Sequence, residues 1–326
     1  MAARSSTQIL KPDTLLPGEL VAVIAPASQI KREHLLAGVQ GLQALGYQTT
    51  YSEEILSEDL YFAGSVERRV CELHEAFCDP KVKAVFCARG GYGTNYLLPH
   101  LDLKLIRGNP KIFLGYSDVT TLLTYLNHQL GMVTFHGPMV TKDFANASGV
   151  DRNSLGSATR GIAKWQILQT PELQPLRQGR AEGKLYGGCL SMLAASLGTP
   201  YEINTEDTIL FLEDIATKPY QIDRMLMQLE YAGKFEKIRG VVFGEMIDCV
   251  QGPEQPYTLQ EVIMRVLSDF DFPVAFGLRS GHVSAGNITL PIGVRAQLKV
   301  SDISVELEIK EAATVSRADR TQAVSS

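Results

Sequence analysis

Through the first half of this chain, short unbroken apolar runs alternate with helix-period stretches, and that order leaves few folds open. Leu20-Val21-Ala22-Val23-Ile24-Ala25 has no polar residue on either side of the pleat, as a strand covered on both faces requires. The spacing predicts a helix from about Glu33 to Leu45, stopped by Gly46, and another from Val66 to Phe77, ended by Asp79-Pro80. The strand Ala84-Val85-Phe86-Cys87, the loop Arg89-Gly90-Gly91-Tyr92-Gly93 and a short helix near Asn95 to Leu98 follow. The series closes with the strand Ile112-Phe113-Leu114-Gly115 and a helix from Asp118 to about Leu130. Repeated strand–helix order implies a parallel, doubly wound α/β sheet. Such sheets bind ligands at the carboxyl ends of their strands. Both the glycine-rich loop and Ser117 fall at those ends.

From about Thr141 to Arg180 the periodicity weakens and Ser, Asn, Gly, Pro and Gln accumulate, which reads as a connection. A second unit begins near Ala181. Its expected strands are Thr208 to Leu212, Gly240 to Phe243, Val274 to Gly277, Ile288 to Leu290, Ala296 to Val300 and Ser304 to Ile309. Helices around Ser191 to Leu197, Pro219 to Tyr231 and Leu259 to Leu267 separate the early strands, whereas the late strands follow closely on one another. A mixed sheet is expected there. A chain of 326 residues suits two cores better than one. The expected division is an N-terminal α/β domain over 1–150, a connection over 151–180, a smaller mixed α/β domain over 181–312, and a disordered tail over 313–326.

The formal net charge of -5 argues against nucleic acid or an anionic membrane surface as the main partner. No apolar run approaches the roughly 20 residues that span a bilayer, and the first residues show no secretory h-region. Cys71, Cys78, Cys87, Cys189 and Cys249 form no C-x-x-C pair and are odd in number, so free thiols in a reducing, cytoplasmic compartment are expected. Neither H-E-x-x-H nor a D-x-D-x-D-G loop is present, and neither a metal nor a cofactor is expected.

The segment Leu114-Gly115-Tyr116-Ser117-Asp118 takes an apolar strand through a serine straight into a helix. A serine on such a turn is pushed out of the sheet beside free helix N–H groups, which is how a hydroxyl becomes a nucleophile. Val119 stands where the usual G-x-S-x-G elbow has its last glycine, and a simple Ser or Asp helix cap would read similarly. Clustered glycines in Arg89–Gly93 let backbone N–H groups approach an anion, though a tight turn without function has the same composition. The dinucleotide fingerprint fails because Tyr96 occupies its last glycine position. Glu213, at the end of an apolar strand, would orient a histidine or pair with Lys218 or Arg224. His282 lies in a loop of small residues and suits a general base, or is simply solvated. His136, in Phe135-His136-Gly137-Pro138, competes for that role. His34, His74, His100 and His128 read as surface or packing residues. The order Ser, acid, His is that of α/β-hydrolases.

These residues resemble the LD-carboxypeptidases, a family that includes the microcin-immunity peptidases. The resemblance extends from about Lys11 to Val300 and rests on Leu16-Pro17-Gly18-Glu19, Arg89-Gly90-Gly91-Tyr92-Gly93, Pro110 to Asp118, and His136-Gly137-Pro138-Met139. It continues through Gly187-Gly188, Leu212-Glu213-Asp214, Tyr220-Gln221-Ile222-Asp223-Arg224 and Gly281-His282. It implies a nucleophile at Ser117, a His282–Glu213 pair, and oxyanion donors from the backbone of Asp118 and Gly91. It also implies a cytoplasmic, two-domain, homodimeric serine peptidase that removes the terminal D-alanine from murein tetrapeptides. Cys189 departs from the pattern, which leads one to expect a polar residue such as asparagine after the two glycines. Arg89, Tyr92 and Arg279 are the candidate substrate contacts, and either arginine suits a terminal carboxylate. Two rivals remain at this level: a peptidase acting on a peptidyl-nucleotide, and a non-catalytic binding protein whose two lobes close on a small molecule.

Overall fold

In the computed structural model, which describes residues 9–167, 170–252 and 254–316, two sheets meet at the carboxyl ends of their central strands. β1 (Leu20–Ile24), β2 (Gln48–Thr50), β3 (Val82–Cys87), β4 (Ile112–Gly115) and β5 (Thr134–His136) run parallel in the first sheet. Alternate residues of β1 feed two cores. Val21 and Val23 pack with Leu35, Val39 and Leu42 of the helix Arg32–Ala44. Ala22 and Ile24 pack with Leu73 and Phe77 of Val66–Cys78 and with Leu122 and Leu126 of Thr120–Leu130. Helices on both faces explain why these strands show no polar alternation. The Ser65 hydroxyl accepts from the Arg68 N–H (3.2 Å) to start one helix, and Gly131, at a φ of 66°, stops another. The short helix expected near Asn95 is two tight turns, Thr94–Tyr96 and Leu98–His100, the second containing Pro99.

The second sheet holds β6 (Trp165–Ile167), β7 (Gln174–Arg177), β8 (Gly179–Cys189), β9 (Thr208–Glu213), β10 (Gly240–Gly244) and β11 (Val274–Leu278). β12 (Leu290–Ile292) crosses back to the first sheet, and β13 (Arg295–Val300) and β14 (Val305–Ile309) complete the second. The orders are β12-β5-β4-β3-β1-β2 and β6-β14-β13-β8-β9-β10-β11-β7. β8 to β11 are parallel at the centre, flanked by antiparallel strands, so the sheet is mixed.

Three expectations change. The stretch 151–180 carries the helix Arg152–Thr159 and both edge strands of the second sheet, β6 and β7. Edge strands leave one side of the ladder in water, so their sequences need no apolar run. The strand expected at Ile288 to Leu290 runs over Leu290–Ile292 and pairs antiparallel with β5, placing Leu290 opposite His136. The first sheet is therefore built from both halves of the chain, and the second, with eight strands, is the larger of the two. At the expected tail, Ala313 and Thr314 are buried and Val315 bridges Asp13; residues 317–326 lie outside the described residues. Among the described residues no helix is long and apolar enough to cross a membrane.

The helix Arg32–Ala44 seats against the segment Val140–Phe144, which borders the cleft between the sheets, with no side chain at Gly41. A Cβ there would run into the Phe144 carbonyl oxygen. In a free helix Gly→Ala stabilises by roughly 0.5–1 kcal/mol; here overpacking of roughly 1–3 kcal/mol opposes it. Gly41→Ala is therefore expected to lower the urea midpoint, and a raised midpoint would show that this contact does not limit the packing.

Candidate active site

β4 delivers Ser117 in a conformation that a non-glycine residue rarely holds, with a φ of +62°. Such a residue stores of order 1–3 kcal/mol and persists only where its surroundings impose it. Ser117–Val119 form a tight turn that continues as the helix Thr120–Leu130. Val119, at the position of the missing elbow glycine, is fully buried. Room for the turn comes instead from Gly90, where a Cβ would stand 2.7 Å from the Ser117 Cβ, 2.9 Å from its Oγ and 3.2 Å from the Asp118 nitrogen. The Asp118 carboxylate ties the turn to the glycine-rich loop by accepting from the Thr94 N–H (2.9 Å), while the Thr94 hydroxyl donates to the Asp118 carbonyl (2.7 Å). Burial raises the Asp118 carboxyl above its ordinary range.

Arg69, which belongs to no motif of the sequence, ties the same end of that loop to the segment after β1. Its buried guanidinium donates to the carbonyls of Gly93 (2.9 Å) and Pro26 (3.0 Å) and lies 4.7 Å from the centre of the Phe62 ring. The available signal was an arginine sharing a helix face with Leu73 and Ala76 at i+4 and i+7, where a charge needs internal partners.

β9 ends in Glu213, which has no exposed surface. Its Oε2 accepts both the backbone N–H of His282 (3.0 Å) and the His282 Nδ1–H (2.7 Å). That assignment leaves Nε2 as the free ring nitrogen. Burial alone would raise the Glu213 carboxyl, but the charge of His282, its hydrogen bonds and the neighbouring His136 imidazole hold it down at about 2. Neither basic residue considered from sequence pairs with Glu213 among the described residues, where its ion-pair partners are His282 and His136; Arg224 lies over the Tyr220 ring. The Tyr116 ring meets His282 edge-on at 5.0 Å.

Ser117 and His282 open onto one cavity of about 570 Å³ together with Gly90, Gly91 and Arg89. Lys31, His34 and Lys142 also line it, and no carboxylate is among the described lining residues. His34, read as a surface or packing residue, therefore faces the cavity. His136 does not line it: the ring is fully buried, which removes it as a rival base. Arg279 and Tyr92 are likewise outside the lining; Tyr92 packs with Tyr61, Phe62 and Tyr96, and Arg279 lies against Gly286. Gly91 packs over Ser28. Cys189 is buried beside Glu213 in the β8–β9 register, its N–H donating to the Thr120 hydroxyl (3.1 Å) and its sulfur near the Ser191 hydroxyl (3.2 Å). Burial pushes its thiol well up, as it does not for a reactive thiolate. Among the described residues no group of three or more His, Cys, Asp or Glu is arranged to hold a metal ion. A strained, half-buried hydroxyl lining the same cavity as an imidazole held by a buried carboxylate has the makings of a nucleophile, a base and its orienter.

Residues 21–137 match the LD-carboxypeptidase N-terminal domain, and residues 182–298 match the LD-carboxypeptidase C-terminal domain. The chain is 39% identical to the probable murein peptide carboxypeptidase of Bacillus subtilis, over 91% of this chain and 94% of that protein. It is 33% identical to the murein tetrapeptide carboxypeptidase of Pseudomonas aeruginosa, over 86% of this chain and 92% of that one. Among solved structures it resembles an MccF-like protein from Bacillus anthracis, with a TM-score of 0.84 and 29% identity, covering 92% of this chain and 99% of that chain. With both halves matched in order and the site at their junction, the chain belongs to the LD-carboxypeptidase family.

Proposed function

We propose that this enzyme is a serine carboxypeptidase that hydrolyses an L,D-amide bond and releases the terminal D-alanine of a murein tetrapeptide. The observation that carries the reading is the Glu213–His282 pair opening onto the same cation-lined cavity as the strained Ser117. His282 Nε2 takes the Ser117 proton as Oγ attacks the amide carbonyl carbon, and Glu213 holds the imidazole tautomer and offsets the charge that forms. Collapse of the tetrahedral species breaks the C–N bond, and His282 returns the proton to the departing amine. Water then attacks the acyl-enzyme, giving its proton to His282, and the Ser117 oxygen leaves with that proton. The backbone N–H groups of Asp118 and Gly91 are the oxyanion donors in this reading, and the absence of a side chain at Gly90 is what lets the loop come so close.

A carboxypeptidase must also hold a free terminal carboxylate. Arg89 is the guanidinium on the cavity wall, which favours it over Arg279, and Lys31 and Lys142 add positive charge for an anionic peptide. Tyr92, outside the lining, is left as a contact for substrate parts beyond the cavity. Five free cysteines support a reducing, cytoplasmic setting, and the family resemblance supports a homodimer.

Release of D-alanine from an L,D-tetrapeptide, measured against release of an amino acid from a peptidyl-nucleotide, tests the substrate. The tetrapeptide is expected to be turned over faster, and the reverse preference would move the enzyme to detoxification. Ser117→Ala is expected to keep the fold and lose about 10⁴-fold or more in kcat. Unchanged turnover in that folded variant would remove Ser117 from the reaction, and failure of the wild-type protein to turn over either substrate or to take a fluorophosphonate label would favour the binding protein.

Glu213→Gln separates a catalytic from a structural carboxylate. The amide can still hydrogen-bond to His282, but it cannot offset the imidazolium charge and favours the wrong tautomer, so kcat should fall on the order of a hundredfold or more with KM little changed. A collapsed melting temperature with normal turnover in the remaining folded protein would make Glu213 only a structural partner.

A further inference from the structure

His136 has a chemical setting that the reading above leaves unused. It ends β5 in the first sheet, is fully buried, and points its Nε2 at the Glu213 Oε1 across the junction at 3.7 Å. Neither of these two atoms has a hydrogen-bond partner within the described residues, although both are buried. Glu213 therefore meets an imidazole at each oxygen: His282 from the loop after β11 at Oε2, and His136 from β5 at Oε1.

The other side of the His136 ring determines where its proton must be. Nδ1 lies 3.0 Å from the Ser280 Oγ, and that hydroxyl donates to the Ile288 carbonyl (2.8 Å). With its one hydrogen used, the Ser280 oxygen accepts from the Nδ1–H. A bare Nε2 would then set a lone pair against a buried carboxylate, so the arrangement is satisfied only with hydrogen on Nε2 as well. The Phe211 ring packs edge-on against the imidazole at 5.1 Å and Tyr116 lies at 6.0 Å, which leaves it little freedom to turn.

We infer that His136 is a positioning residue that holds the Glu213 carboxylate from the opposite sheet and so tunes His282 as a base. The inference rests on the assignment of Ser117, Glu213 and His282 as the catalytic set. The Nε2–H edge of the His136 ring, 3.7 Å from Oε1, draws charge from the carboxylate electrostatically and weakens its grip on the charged form of His282. It also couples the two halves of the site, because Ser117 and His136 come from adjacent strands of the first sheet while Glu213 and His282 come from the second. The other titratable groups around Glu213 are Cys189 at the end of β8, Asp214 after β9, Cys249 after β10 and Tyr116 after β4. None of them hydrogen-bonds Oε1 among the described residues, which leaves His136 as the group facing it.

The test is the rate of Ser117 labelling by a fluorophosphonate as a function of pH, which requires no peptide substrate. His136→Phe keeps a ring of similar shape but no donor, and is expected to slow labelling about tenfold or more. Its acid limb should move to higher pH by about half a unit or more, because a carboxylate without the second donor holds the imidazolium more tightly. His136→Gln, whose amide reaches the same place, should recover the limb and most of the rate. A folded His136→Phe with wild-type rate and limb would overturn the inference, as would a Gln variant no better than Phe. If His136→Phe does not fold, His136→Met, similar in length to Gln and without a donor, takes its place, and a Met variant with wild-type rate and limb overturns the inference equally. Absence of Ser117-dependent labelling in the wild-type protein would instead overturn the catalytic assignment, and this inference with it.

Discussion

The Glu213 carboxylate sits where the two sheets meet, with no exposed surface, and an unpaired charge in that position would cost several kcal/mol. Its partners determine much of the local structure. The loop after β11 must bring both the backbone N–H and the ring of His282 to one oxygen, and β5 must end at His136 to face the other. β12 pairs with β5 at that same residue, so a strand from the late part of the chain stiffens the ladder that carries His136. The carboxylate thus links the sheets electrostatically while orienting the imidazole that faces the cavity.

The serine side of the site depends on a different constraint, the strain in one residue. A φ of +62° at Ser117 is maintained because β4 is buried on both faces, Val119 is locked in the core, and the loop at Gly90 presses on the turn. That loop is itself held at its carboxyl end by charges taken into the protein. Asp118 accepts the Thr94 N–H, and the buried Arg69 donates to the carbonyls of Gly93 and Pro26. Behind it Glu72, pushed up to about 7 by burial against the partial offset of Arg68, accepts the Ala25 N–H at the end of β1. Three buried ionisable groups therefore support a short glycine segment whose job, in the proposed mechanism, is to present backbone donors with little reorganisation.

Charge in the cavity is one-sided. Arg89, Lys31 and Lys142 stand on its wall without a facing carboxylate among the described residues, although the chain as a whole is acidic. A concave site with that field favours anionic groups.

Much of this was legible along the chain. The unbroken apolar runs and their helical connections imply the parallel first sheet, because a strand covered on both faces has no room for polar alternation. Ser117, Glu213 and His282 could be picked out because each ends an apolar strand or lies in a loop of small residues. Local pattern could not show the edge strands β6 and β7, whose half-exposed residues need no apolar run, nor that β12 joins the first sheet, because strand pairing is settled by contacts distant in sequence. Nor could it put Arg89 on the cavity wall and Arg279 off it, or set His136 in the core against Glu213. Those depend on which side chains face the cavity and which face the core. The sequence by itself determined the residue types and the strand ends on which they sit; only the tertiary structure decided which of them share one carboxylate, because that depends on how two sheets dock.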